Sequence, residues 1–234
     1  MPLRLSLLLS CSLLLSCVDD SVSLFVQGVI LPDIDEDGCT FEAGGGTLLS
    51  PGVADVETDL VLSDNVNYRV VLSVGNQLQR RAVSGRAETN GVQIQRVEVT
   101  LRDLGGVPLA LGGLPNPFSV PATGFIPPAA DLNSPSFGPV SAVVIPSRYA
   151  TEIADTFTRD ASGELVPFTL IVGIKLFGET QGDISIELEE WDWPVSICGG
   201  CLFACAAPGT DPVGVCNPGQ DDLAVLPSGS LGCP

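Results

Sequence analysis

The chain of 234 residues carries 28 acidic and 10 basic side chains, a formal charge of −18, and no histidine. Such a charge repels phosphate backbones and anionic head groups, which excludes nucleic acid as a partner. The missing imidazole excludes Ser-His and Cys-His nucleophile pairs and histidine-ligated metal centres.

The first element is Met1-Pro2-Leu3-Arg4 followed by the uncharged run Leu5 to Ser16. One positive charge, an apolar stretch and small residues ahead of a cysteine have the pattern of an export signal. As a helix the run is too short to cross a bilayer, which takes about 20 residues. The plainer alternatives are a short buried helix or a simple signal peptide, with Cys17 an ordinary thiol. Leu14-Leu15-Ser16-Cys17 resembles the lipobox of bacterial lipoproteins. The resemblance implies that residues 1–16 are a lipoprotein signal peptide and that the Cys17 thiol is acylated with fatty acid such as palmitate. Cys17 then becomes the mature N-terminus. Val18 stands where an aspartate is associated with inner-membrane retention, so the resemblance implies the outer membrane; Asp19 follows it. Leu8-Leu9-Ser10-Cys11 repeats the pattern, but leaves only Leu5 to Ser10 as the apolar region, where about 7–15 residues are usual. Cys17 is therefore the expected lipidation site and Cys11 the rival.

Residues 17–46 read as a lipidated N-terminus and acidic tether, ending at Gly44-Gly45-Gly46. Within them Val22 to Leu31 is apolar enough for a strand and serves equally well as tether. Asp33-Ile34-Asp35-Glu36-Asp37-Gly38 opens like a calcium loop, with three carboxylates on alternate residues and a glycine for the turn. The loop pattern then fails, because Phe41 and Gly44 stand where oxygen ligands are required, and Glu42 comes two residues early. Asp33, Asp35 and Asp37 are thus candidate Ca2+ ligands set against a solvated acidic turn. No other cofactor is expected.

Residues 47–194 read as the main domain. Val56, Thr58, Leu60 and Leu62 have the period of two of a half-buried strand, as do Tyr68, Val70, Leu72 and Val74. After Asn90-Gly91, Val92 and Ile94 precede Val97, Val99 and Leu101; the spacing of three predicts a β-bulge at Gln95-Arg96. The prolines of residues 104–139, among them Pro121 and Pro139, forbid a helix there and confine strands to short edges. Val140 to Ile145 predicts a strand stopped by Pro146, and Ser147 to Thr158 the one helical segment. Leu165 to Phe177 is apolar on both sides, which predicts a central strand covered by sheet or loop on each face. Ile184 to Trp193 returns as its hairpin partner. Short strands separated by turn signals, without an internal repeat, predict an all-β fold, an antiparallel β-sandwich (Ig-like), with a closed barrel as the second choice.

Residues 195–234 form a Cys-rich C-terminal appendage. With Cys11 and Cys17 assigned to the signal region, Cys39, Cys198, Cys201, Cys205, Cys216 and Cys233 remain, an even set consistent with three disulfides in an oxidising compartment. If the framework closes fully, Cys39 pairs into the C-terminal cluster. Cys198-Gly199-Gly200-Cys201 also has redox or metal spacing, but lacks the helical context of a thioredoxin-type pair and the fourth ligand of zinc, so structural disulfides are expected.

Glu187, Glu189, Trp191 and Trp193 share one face of an unbroken strand, where indoles could stack a sugar ring beside carboxylates. A bulge at Glu189-Glu190 would instead turn both tryptophans into the core, and this is the favoured reading. Lys175, the only lysine, is expected to snorkel or pair rather than serve as a base. The lipobox, proline-rich β region and Cys-rich tail together resemble uncharacterised predicted lipoproteins of myxobacteria-like Gram-negative bacteria, a resemblance that supplies no activity. The expected function is therefore a membrane-anchored cell-envelope lipoprotein with a structural or interaction role, not an enzyme. Its expected partners are the membrane, through the N-terminal lipid, and a protein or polysaccharide of the envelope. A carbohydrate-binding module or carboxylate-type glycosidase is the alternative, and a calcium-dependent adhesin the second.

Overall fold

Alternating apolar side chains bury one face of a strand, and the longest alternating runs of this chain lie side by side. The computed structural model describes residues 23–35, 38–57, 67–80, 87–131, 134–205, 216, 220–221 and 224–226. Its strands begin with β1 (Leu24–Ile30), β2 (Asp33–Asp35), β3 (Gly38–Thr40), β4 (Leu48–Leu49) and β5 (Gly52–Asp55). Next come β6 (Tyr68–Asn76), β7 (Val92–Arg102), β8 (Phe118–Ile126) and β9 (Ser136–Ile145), then the helix α1 (Ser147–Thr156). After α1 follow β10 (Phe168–Thr180), β11 (Ser185–Glu187), β12 (Trp191–Cys198), β13 (Phe203–Cys205) and β14 (Ala224–Leu226).

Ten strands join in one sheet, in the order β4-β1-β6-β9-β8-β7-β10-β12-β5, with β11 also paired to β10. All its pairings are antiparallel except that of β12 with β5. The protein is all-β and mostly antiparallel, as its periodicity predicts. The ends of the sheet meet. Trp193 of β12 donates through Nε1 to the Tyr68 hydroxyl of β6 at 3.4 Å, although four strands separate β6 from β12 in the sheet order. The layers over the core are thus opposite parts of one rolled sheet.

The core draws on all the long strands: Val70, Leu72 and Val74 of β6, Val97, Val99 and Leu101 of β7, and Leu170, Val172, Ile174 and Leu176 of β10 are buried together. Each such side chain contributes about 1.5–3 kcal/mol on burial. The predicted bulge is present: Ile94 and Arg96, but not Gln95, have partners in β8 and in β10. The extra residue returns Val97 to the buried face that Ile94 occupies. The helix forms where predicted. Pro146 precedes it, and Tyr149, Ala150, Ile153 and Ala154 bury one stripe in the same core. The Tyr149 ring stacks on Phe118 at 4.0 Å between centroids.

Four expectations need correction. Proline does not confine β8 and β9 to edges; both lie mid-sheet. They pair with each other only over Ala122–Gly124 and Val140–Ala142. Pro121 and Pro139 flank that three-residue ladder, so neither missing N–H interrupts it. Second, of the two readings of Val22 to Leu31 the strand holds, since Leu24–Ile30 pairs with β6, so residues 17–46 are not all tether. Third, β12 runs through Cys198 and so crosses the predicted boundary at residue 194. Fourth, the second face of β10 is only partly covered among the described residues; Ile171 and Phe177 there are half-buried, with the Arg96 guanidinium 3.7 Å over the Phe177 ring. The strand predicted through Thr58, Leu60 and Leu62 falls outside the described residues beyond Val56.

Candidate functional site

Chemistry-bearing side chains converge where β5 ends beside β12. Parallel pairing sets Asp55 opposite Cys198. The Asp55 carboxylate is fully buried. Its Oδ1 accepts the backbone N–H of Gly200 at 2.9 Å and of Glu57 at 3.1 Å, and its Oδ2 accepts that of Leu202 at 3.1 Å. Hydrogen bonds to an ionised acceptor are among the stronger ones, and here they fold residues 199–202 into a tight turn. That turn brings Cys198 and Cys201 together as a disulfide. Gly200 has φ +67°, a left-handed conformation that glycine adopts without a Cβ penalty. Cys198 is buried and Cys201 exposed. One oxygen of Asp55 and both sulfurs lie within 4.8 Å of one another, the only group of this kind among the described residues. With the sulfurs bonded to each other they offer no thiolate, so the group as it stands is not a metal centre.

A second convergence joins the two ends of the sheet. Gln220 bridges to Ala54 on the outer edge of β5, and its side chain clamps β6. Its Nε2 donates to the Arg69 carbonyl at 2.6 Å, and its Oε1 accepts the Arg69 N–H at 2.7 Å. Beside it Asp221 Oδ1 accepts the Val53 N–H at 2.8 Å and the Tyr68 hydroxyl at 2.9 Å. Burial, reinforced by the neighbouring Asp221 carboxylate, pushes the Tyr68 phenol far above its ordinary pKa. The Cys39–Cys216 disulfide holds this seam to the β2–β3 hairpin across 177 residues of chain. Alongside it opens a groove of about 500 Å³, lined by Phe41, Arg69, Val71, Thr123, Pro139 and Ser141 with both bonded cysteines.

The remaining predicted residues scatter. Asp33 and Asp35 lie on a strand that pairs Asp33 with Thr40, Ile34 with Cys39 and Asp35 with Gly38. This segment is an extended hairpin, not the coiled loop that the D-x-D-x-D-G pattern predicts; Asp37 lies outside the described residues. Glu187, Glu189, Trp191 and Trp193 do not share a face. Glu187 sits opposite Phe177 on the outer side, whereas Trp191 and Trp193 sit opposite the buried Ile174 and Val172. The strand breaks over Leu188–Glu190, which turns the indoles inward as the bulge alternative predicts. Trp193 is buried and stacks on half-buried Trp191 at 5.5 Å between centroids. The acids are engaged elsewhere. Glu187 pairs with Lys175 at 2.5 Å and holds its ammonium above the usual lysine pKa, while Glu190 and Asp192 both pair with Arg102. Cys11, Cys17 and Cys233 and the Cys205 side chain lie outside the described residues.

Asp55, Gln220 and Asp221 were not singled out by sequence, and Tyr68 was read only as one position on the face of a strand. Asp55 is buried between Ala54 and Val56, which are also buried, so the period of two does not mark it. Gln220 and Asp221 carry no signal, because their partners lie about 150 residues away in the chain. Comparison with known proteins finds no matching family model, no matching curated protein and no matching solved structure.

Proposed function

We propose that this chain is an exported, membrane-anchored cell-envelope lipoprotein, acylated at Cys17, whose β domain has a structural or interaction role at the outer membrane. The observation that carries the proposal is the Cys39–Cys216 disulfide, which closes 177 residues and ties the β2–β3 hairpin to the seam of the large sheet. Bonds of this kind persist in oxidising compartments and are rare where thiols are kept reduced. Such a compartment is where the export signal Leu5 to Ser16 would deliver the chain. Two or three acyl chains hold a protein on a membrane firmly, whereas one does so only marginally. The groove beside the disulfide suits an interaction role, since it combines apolar Phe41, Val71 and Pro139 with the guanidinium of Arg69.

Metabolic labelling with a fatty acid tests the anchor. The full-length chain is expected to incorporate label and to fractionate with outer membranes. Cys17→Ala should abolish incorporation and Cys11→Ala should leave it intact. Label that persists in Cys17→Ala, or that is absent from the unaltered chain, would overturn the proposal.

A further inference from the structure

We propose that the Cys198–Cys201 disulfide is a thiol–disulfide exchange centre, attacked by thiolates at the Cys201 sulfur and released at the Cys198 sulfur. Three observations carry this, none of which depends on membrane anchorage. The first is asymmetry. Cys201 is exposed while Cys198 is buried, so an incoming thiolate reaches only one of the two sulfurs.

The second is that the loop is shaped without help from the bond. Both oxygens of buried Asp55 hold residues 199–202 through the N–H groups of Gly200 and Leu202. On scission the two sulfurs therefore stay close, and the Cys198 sulfur lies 3.7 Å from the Ala54 carbonyl, which can accept its S–H. The intervening residues are both glycine, and a Cβ on Gly199 would collide with the Glu57 carboxylate. Asp55 is a positioning residue in this scheme.

The third is the contrast between the two disulfides. Cys198 and Cys201 are 3 residues apart and their bond encloses almost no chain, whereas Cys39–Cys216 encloses most of the domain. Opening the first releases little chain entropy to the unfolded state; opening the second releases much. One bond is thus free to cycle while the other keeps the fold.

The substrate class is cysteine thiols, small or protein-borne. A thiolate R–S⁻ attacks Cys201 Sγ, the Cys198–Cys201 bond breaks, and an R–S–S–Cys201 mixed disulfide forms. The bonding pair leaves on Cys198 Sγ, which takes a proton from water. A second thiolate then attacks the R sulfur, R–S–S–R departs, and the electron pair remains on Cys201 Sγ. Two thiols have been oxidised and the loop has been reduced by two electrons.

The test uses the full-length protein in detergent, with glutathione as the small thiol and a reduced cysteine-pair peptide as the protein-like one. After alkylation and peptide mapping, millimolar thiol is expected to leave Cys198 and Cys201 alkylated and Cys39–Cys216 intact. The two probes distinguish a small-molecule from a protein substrate by their relative rates. In Cys198→Ser, glutathione disulfide should form a stable adduct on Cys201, whereas the Cys198 thiol of Cys201→Ser should react at least tenfold more slowly. An intact Cys198–Cys201 bond, simultaneous opening of Cys39–Cys216, or equal adduct rates in the two variants would overturn the proposal. If either variant fails to fold, the mapping of the unaltered protein decides.

Discussion

Replacing Cys39 and Cys216 together by serine removes the tie between the β2–β3 hairpin and the seam at Gln220-Asp221. The bond spans 177 residues, for which the chain-entropy relation gives a stabilisation of about 5 kcal/mol. The same relation gives about 2 kcal/mol for the loop of Cys198–Cys201, whose residues are only 3 apart. The seam itself adds to the contrast. Gln220 and Asp221 bond to Arg69, Val53 and Tyr68, and in the variant those bonds must position the segment without a covalent anchor. Equilibrium urea unfolding is the assay, followed by the fluorescence of the chain's two tryptophans, of which Trp193 sits against Tyr68 at that seam. With a urea slope of about 2 kcal/mol per molar, the Cys39/Cys216 double variant should unfold about 2.5 M earlier than the parent. The Cys198/Cys201 double serine variant should shift by less than half as much. Equal shifts, or a loss below about 1 kcal/mol for the long loop, would show that the Cys39–Cys216 bond does not constrain the unfolded chain.

The two tyrosines, Tyr68 and Tyr149, both have pKa values raised chiefly by burial, so they stay protonated in the folded protein past the ordinary value of about 10. Because the unfolded chain then loses protons that the folded one retains, this contribution to stability is complete below that value and falls as pH rises above it. A spectrophotometric titration should show tyrosinate absorbance appearing at higher pH in the folded than in the urea-unfolded protein; ionisation of both residues at the same pH in the two states contradicts the burial. Asp55→Asn turns an amide donor toward backbone N–H donors and should cost about 2–3 kcal/mol in thermal or urea unfolding. A cost below about 0.5 kcal/mol would show that the carboxylate does not organise the Cys198–Cys201 turn. Gly138→Ala places a Cβ against the backbone carbonyl of Phe125 and 2.9 Å from Ile126 Cα, and strand β8 cannot yield as a side chain would. A loss of about 1–3 kcal/mol is expected, and a neutral outcome would mean that β8 and β9 approach less closely there.

What the sequence made legible was periodicity, which is a local property. The missing alternation between Ile94 and Val97 located the bulge, because a strand with one buried face tolerates no silent slip of a residue. The segment Ser147 to Thr158 was legible as the one helical stretch, and the structure shows that its buried stripe is Tyr149, Ala150, Ile153 and Ala154. The proline rule misled because it concerns hydrogen bonds, not position in the sheet. Pro121 and Pro139 sit beside a ladder only three residues long, so mid-sheet strands accommodate them. The paired tryptophans were ambiguous until the break at Leu188–Glu190 fixed which face they occupy. The pairing of Cys39 was legible by parity of sulfurs, though not its partner. Asp55, Gln220 and Asp221 act on backbone groups far along the chain, and such partnerships leave no spacing to read.

Mass spectrometry of the membrane-extracted protein, before and after reduction, reads acylation and disulfide state together. An N-terminal peptide beginning at Cys17 with the added mass of its acyl chains is expected. Linked peptides containing Cys39 and Cys216 should separate only on reduction. A mature chain beginning elsewhere without lipid, or free thiols at Cys39 and Cys216 in the native protein, would contradict the lipoprotein proposal.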